Sequence, residues 1–140
     1  MYDFPSNEWA QAYKDAINAN PEYKVHGKDW THGVVAFVVK ADPALRIEHD
    51  TALWLDVHGG ECREVKLMTA EEAQAAAFVI VAPYAMWKTI IKREIDPIKA
   101  MMQNKVKLTK GHMPTIVRYV NSSRQLVEST SRVPTKFRDE

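Results

Sequence analysis

Apolar positions along the chain keep two periods, and the places where one gives way to the other mark out the elements. Behind Ser6, the residues Trp9, Tyr13, Ala16 and Ile17 recur at helical spacing, and Asn20-Pro21 ends the segment. A side-chain oxygen ahead of such a run satisfies the first free amides, so the pattern predicts an amphipathic first helix. From Trp30 to Lys40 the period changes. Val34-Val35-Ala36-Phe37-Val38-Val39 is a continuous β-branched and aromatic run, as expected of a strand covered on both faces, and Asp42-Pro43 stops it. Leu53, Leu55 and Val57 then alternate with Trp54, Asp56 and His58, and Gly59-Gly60 supplies the positive φ of a tight hairpin into Cys62 to Met68. These three strands are expected to form an antiparallel meander.

Thr69-Ala70-Glu71-Glu72 carries the capping-box pattern and predicts a short alanine-rich helix. Ala77-Phe78-Val79-Ile80-Val81 reads as a fourth strand. Pro83 suits the first turn of the next helix, on which Met86, Trp87, Ile90 and Ile91 form an apolar stripe while Lys88, Lys92 and Arg93 lie elsewhere on its surface. Asp96-Pro97 repeats the cap-plus-proline device and starts a short helix bearing Ile98, Met101 and Met102. Val106 to Thr109 alternates again as a fifth strand, closed by Gly111. Met113, Ile116, Val117, Val120 and Val127 then predict a last amphipathic helix. Residues 129–140 are rich in Ser, Thr, Arg and Pro, have no period, and are expected to be a loosely held tail.

A chain of 140 residues fits one domain, here taken as residues 1–140, large enough to bury a core without covalent staples. A hydrophobic fraction of 46% and a charged fraction of 26% exclude intrinsic disorder. Cys62 is the only cysteine, which excludes an internal disulfide framework and a four-cysteine zinc site and fits a reducing compartment. The longest apolar stretch, Ala75 to Trp87, is broken by Pro83 and is too short to span a bilayer. With no basic-then-apolar leader at Met1-Tyr2-Asp3-Phe4, the expected location is the cytoplasm. The formal net charge of +1 is far from that of a dedicated nucleic-acid binder.

Candidate chemistry is sparse. The five histidines, His26, His32, His49, His58 and His112, show no i,i+4 helical pair and no accompanying cysteine pair, so no metal site is expected. His32 and His58 are placed where they could meet across the sheet. Cys62 has no basic neighbour except Arg63 and reads as a small buried thiol. The acids Glu48, Asp50, Asp56, Glu61 and Glu64 fit a solvated face, with Asp56 or Glu64 available as a base if one pointed into a cavity. Met86, Met101, Met102 and Met113 suit plain core packing first, with the wall of an adaptable apolar pocket as the second reading. Charge is unevenly spread: residues 88–118 hold eight Lys and Arg against two acids, whereas residues 31–87 hold four bases against eight acids. A basic, methionine-rich segment fits an anionic lipid head group or surface, or simply a solvated lysine face.

The order of these segments resembles the lipid-binding domain of the sterol carrier protein-2 family, from the strand at Trp30 through the helix after Met113. The resemblance rests on Ala52-Leu53-Trp54-Leu55-Asp56-Val57 with Gly59-Gly60, and on Ala77-Phe78-Val79-Ile80-Val81 followed by Tyr84, Met86 and Trp87. It rests further on Asp96-Pro97-Ile98 and on Asn104-Lys105-Val106-Lys107-Leu108-Thr109-Lys110-Gly111-His112-Met113, in which Asn104 stands where the family usually has glycine. The resemblance implies an α+β fold: a five-stranded, mainly antiparallel sheet with helices packed over one face enclosing an apolar pocket. It also implies a noncatalytic role in binding or transferring a sterol, fatty acid, fatty acyl-CoA or phospholipid, without a cofactor. On that reading Met86, Trp87, Ile90, Met101, Met102, Met113, Ile116 and Val117 contribute to the pocket, and Lys88, Lys92 and Lys107 meet an anionic head group or membrane surface. Two other readings stay open: a small cavity enzyme moving a proton with Asp56 or Glu64, and an accessory domain whose filled core takes no ligand.

Overall fold

In the computed structural model, which describes residues 1–140, a two-residue strand β1 (Tyr2–Asp3) precedes the expected first helix, α1 (Asn7–Asn18). The Ser6 side chain accepts a hydrogen bond from the Trp9 amide at 3.0 Å, which fixes the first turn. Asn20-Pro21 ends α1 and also opens a second helix that periodicity missed, α2 (Pro21–His26). Asn20 accepts from the amides of Glu22 and Tyr23, and proline takes the first helical position, where no amide is needed. The same device was legible at Asp96-Pro97; at Asn20 it was hidden by the lack of an apolar stripe.

Five strands, β2 (Val35–Lys40), β3 (Thr51–His58), β4 (Glu61–Thr69), β5 (Phe78–Pro83) and β6 (Lys107–Lys110), form one sheet in the order β4-β3-β2-β5-β6. β2, β3 and β4 are the expected antiparallel meander, turned by Gly59 at φ 61° and Gly60 at φ 84°. β5 lies parallel to β2, with Val35 opposite Phe78 and Val39 opposite Ala82. β6 closes the other edge antiparallel to β5. The sheet is therefore mainly antiparallel with one parallel pair at its centre.

Successive side chains of a strand point to opposite faces, and here the two faces are covered unequally. The inner face carries Val35, Phe37 and Val39 of β2 and Leu53, Leu55 and Val57 of β3, all packed into the main core with Trp9, Tyr13 and Ile17 of α1. α1 lies along β4, where Asn18 exchanges two hydrogen bonds of 2.8 Å with the Cys62 backbone and Gln11 donates to the Val65 carbonyl. Those side chains occupy backbone groups that an edge strand would otherwise leave bare. The outer face holds a small second core of Ala36, Val38, Ala52 and Val79 under Ala73 and Ala76. The segment above it shows the predicted capping box, with Thr69 and Glu72 bonding each other's backbone, but it forms only a 3-10 turn, Glu72–Ala75.

The remaining helices, α3 (Tyr84–Ile91), α4 (Pro97–Met102), α5 (Met113–Arg118) and α6 (Val120–Thr130), lie on the inner side. The single helix expected over 113–127 is thus two, because the chain bends at Tyr119. That ring packs against Trp30 and His32, with centroids 5.3 and 5.1 Å away. Gly111 closes β6 at φ 112°, and a Cβ there would lie 2.4 Å from the Phe78 ring.

The expectation of a loosely held tail over 129–140 is corrected. Val133 and Phe137 are buried, and a strand β7 (Thr135–Lys136) pairs in parallel with β1. The Tyr84 hydroxyl donates to the Phe4 carbonyl at 3.3 Å and accepts from the Arg138 amide at 2.7 Å. Lys88 meets Asp139 at 2.7 Å and Glu140 at 3.0 Å, and Lys92 meets Glu140 at 2.6 Å. Both ammonium groups stand 5.5 Å from the centroid of the Phe137 ring. The tail has no period because its anchors are single residues matched to partners far away in sequence.

Tyr84→Phe is expected to cost about 1–3 kcal/mol, the range for leaving buried groups unpaired, measured by denaturant unfolding. Hydrogen exchange should show the loss concentrated at Arg138. The pKa values of Asp139 and Glu140 are lowered, chiefly by hydrogen bonds from Lys88 and Lys92 respectively. Their contribution is present above the ordinary carboxylate range and is lost as pH falls through the lowered values. Exchange protection of the β1–β7 pair should therefore drop in acid before the sheet is affected.

Candidate functional site

An apolar cavity of about 40 Å³ lies between the sheet's inner face and the helices. Its floor is sheet: Val35 and Phe37 of β2 and Ile80 of β5, with Trp30 at one side. Trp87 and Ile90 of α3 face this floor. Pro97, Ile98 and Met101 of α4 form one wall, followed by Val106; Ile116 of α5 and Ser122, Ser123, Leu126 and Val127 of α6 complete the lining. None of these side chains is titratable.

Two indoles fix the geometry. Trp87 Nε1 donates to the Val38 carbonyl at 2.9 Å while its ring stands 5.1 Å from Phe37. Trp30 Nε1 donates to the Gly33 carbonyl at 3.0 Å and its ring rests on Phe78 at 5.3 Å. Each polar N–H is thus satisfied by backbone, leaving the large apolar faces for the cavity.

Of the eight side chains expected in the pocket, Trp87, Ile90, Met101 and Ile116 line it. The other four do not. Met102 is 80% exposed, Val117 61% and Met113 41%. Met86 lines a separate surface groove with Val81, Pro83, Lys105 and Lys107. The cause is geometric: neighbours on a helix point about 100° apart, so α4 can turn Met101 inward only by turning Met102 out, and the short α5 packs through Ile116. The sheet floor was the main omission. Its signal was available, since Val35 and Phe37 share one phase of the run whose other phase is Ala36 and Val38.

Lys88 and Lys92, expected at a head group, are instead engaged by the Asp139 and Glu140 carboxylates. Lys107 is exposed on β6. Bordering the cavity is a polar groove that shares Ile90, Pro97 and Val127 with it and carries Arg93, Arg124 and Arg132. Arg124 Nε donates to Asp96 at 3.2 Å, Arg93 pairs with Glu128, and Arg132 has no ion-pair partner. Asp96 also caps α4, accepting from the amides of Ile98 and Lys99.

The acids considered as bases lie elsewhere. Asp56 and Glu64 face each other across β3 and β4 on the sheet's outer side, Asp56 held by Arg63 at 2.8 Å and Glu64 near Lys66 at 3.5 Å. No three His, Cys, Asp or Glu side chains are grouped to hold a metal ion. His32 precedes β2 and packs on Trp30 and Tyr119. Asn104, after α4, has φ 59°, a left-handed conformation that asparagine tolerates better than most residues. This explains how it can stand at a position where glycine is usual. No helix is long and apolar enough to cross a membrane.

Residues 12–119 match the model of the SCP-2 sterol transfer family. Among solved structures, a crystal structure of sterol carrier protein 2 superposes with a TM-score of 0.86 at 30% identity, covering 91% of this chain and 97% of the other. The solution structure of a conserved hypothetical protein from Thermus thermophilus, described as possibly a sterol carrier protein, gives 0.84 at 29% identity, covering 94% and 90%. Sterol carrier protein domain 2 of Helicoverpa armigera, at 15% identity, TM-score 0.57 and coverage of 86% and 87%, shares the fold. A search of curated protein sequences gave no match.

Cys62 is 2% exposed, its Sγ donates to the Glu64 carbonyl at 3.5 Å, and burial pushes its pKa up to about 12. Thiolate is the reactive form, so the native protein should resist alkylation by iodoacetamide at neutral pH and react once unfolded. Fast labelling of the folded chain would contradict this placement.

Proposed function

Because the chain belongs to the SCP-2 sterol transfer family, we propose that it binds or transfers a lipid whose apolar part lies between the sheet and α3, α4 and α6. The observation that carries this reading is the lining: apolar side chains and two serines, with no ionisable group. An ionised head buried in such a place would cost several kcal/mol. The chain or ring system of the ligand therefore enters first, and a charged head stays in the bordering groove, where Arg132 is the arginine without a carboxylate partner. Fatty acids, fatty acyl-CoA and phospholipids fit this arrangement; a sterol would set its hydroxyl against Ser122 or Ser123. Trp87, Ile90, Met101 and Ile116 are the wall residues of this proposal.

A volume of about 40 Å³ holds a few waters at most, against roughly 300–1,000 Å³ for a ligand pocket. Entry of a lipid thus requires a wall to move, and α4 is the cheapest one. Ala100 is its only buried residue, and the ties from its segment to α6 are the exposed ion pairs Arg124–Asp96 and Arg93–Glu128, a type worth about 0–1 kcal/mol each. The same small volume favours a second reading, an accessory domain that takes no ligand, and one experiment separates the two.

Native mass spectrometry and displacement of a fluorescent fatty acid should detect saturable binding. At about 0.8 kcal/mol per buried methylene, lengthening the competing chain by two carbons should strengthen binding about fifteenfold until the cavity is filled. Met101→Trp should weaken binding at least tenfold while Met102→Trp leaves it unchanged. Failure of every lipid class to displace the probe from folded protein would overturn the carrier reading and leave the accessory one.

A further inference from the structure

Buried polar side-chain atoms in this molecule have partners, with one exception. The Tyr13 hydroxyl donates to the Leu126 carbonyl at 2.7 Å, the Tyr84 hydroxyl both donates and accepts, and the two cavity indoles donate to backbone. The Tyr23 hydroxyl, on a fully buried side chain, is the only buried side-chain nitrogen or oxygen without a hydrogen bond. Leaving such a group unpaired is costly, and an orphan of this kind in a folded protein calls for an explanation.

Its place in the fold supplies one. The Tyr23 ring lies over Gly27, where a Cβ would be 2.9 Å from Tyr23 Cζ, and the Gly27 carbonyl accepts from the amide of Trp30, a cavity residue, at 3.0 Å. Ser122 of α6 is 4% exposed and lines the cavity. It approaches the Tyr23 hydroxyl closely enough to favour the ionised phenol, without completing a hydrogen bond. Nor does Ser122 turn its own hydroxyl back to a helix carbonyl, as Ser129 and Thr130 do to those of Gln125 and Val127. An unpaired serine at the cavity thus has an unpaired phenol behind it. Burial, and after it the Cys62 thiol, push the Tyr23 pKa up, so the phenol stays neutral, and the cavity lining holds no cation.

We propose that Ser122 and Tyr23 form a recognition point, inside the apolar cavity, for the hydroxyl or carbonyl oxygen of an uncharged lipid. That oxygen accepts from the Ser122 hydroxyl, and Ser122 Oγ accepts from the Tyr23 hydroxyl. Both unpaired groups are satisfied at once, and successive hydrogen bonds in a low-dielectric site strengthen one another. Ser122 touches the ligand; Tyr23 is a positioning residue that acts through it. An ionised head finds no counter-charge here and stays outside. The proposal rests on the carrier reading and adds to it which lipids the cavity selects.

The test uses dodecanol, dodecane and dodecanoate as competitors for the fluorescent fatty acid on the full chain at neutral pH. Side chains that only pack would change the affinity for alcohol and alkane alike, so the quantity read is the ratio of the two. Tyr23→Phe and Ser122→Ala should each lower that ratio about fivefold, the worth of one hydrogen bond, and the double variant should lower it no further. Ser129→Ala, on the same helix, should leave it unchanged. Dodecanoate should bind Tyr23→Phe as it binds the wild type. Because the Tyr23 hydroxyl has no partner to lose, the Tm of Tyr23→Phe should not fall below that of the wild type. The proposal is overturned by a ratio that neither substitution moves, by one that Ser129→Ala moves as much, by dodecanoate losing affinity as the alcohol does, or by a lowered Tm. If none of the three competes on folded wild type, the carrier reading falls and this proposal with it; if they compete with an unmoved ratio, only this proposal falls.

Discussion

The fold depends on the parallel pairing of β2 with β5 at the centre of the sheet. β2 is buried on both faces from Val35 to Val39, so each of its side chains must find an apolar partner, and its backbone needs a strand on either side. β3 arrives by simple reversal, whereas β5 arrives only after the β3–β4 hairpin and the short turn that covers Ala36 and Val38. That crossover sets the direction of β5, and the chain leaves it at Pro83 straight into α3. The helix is thereby laid over β2's inner face, where Trp87 reaches the Val38 carbonyl. Floor and facing helix of the cavity are consequences of one pairing.

Much of this architecture was written in local residues. Ser6, Asp96-Pro97, the Val34–Val39 run and the Gly59-Gly60 turn act within a few positions of themselves, so the sequence pattern around each is sufficient. What pattern could not reach was anything decided by rotation or by distance. Met101 and Met102 are equivalent in composition, and only the angle between adjacent helical residues separates a cavity wall from a surface side chain. Phe137 has no apolar neighbour in sequence and is buried because Phe4 and Tyr84 form its contacts across the whole length of the chain. Tyr119 breaks a regular helical pattern because Trp30, far earlier in the sequence, holds its ring.

Charge shows the same division between composition and placement. A formal net charge of +1 conceals a basic region from 88 to 118, and that region itself splits in space. Lys88 and Lys92, which look like the free basic face of α3, are consumed in holding the C-terminal residues. The lysines after Pro97 have no such obligation.

The four tryptophans fall into three environments: Trp9 in the aromatic group that joins the two ends, Trp30 and Trp87 against the cavity, and Trp54 on the outer sheet face. Indole emission responds to the polarity of its immediate surroundings. The molecule consequently carries built-in optical reporters, and single-tryptophan versions would resolve events at the cavity from events at the termini without any added dye.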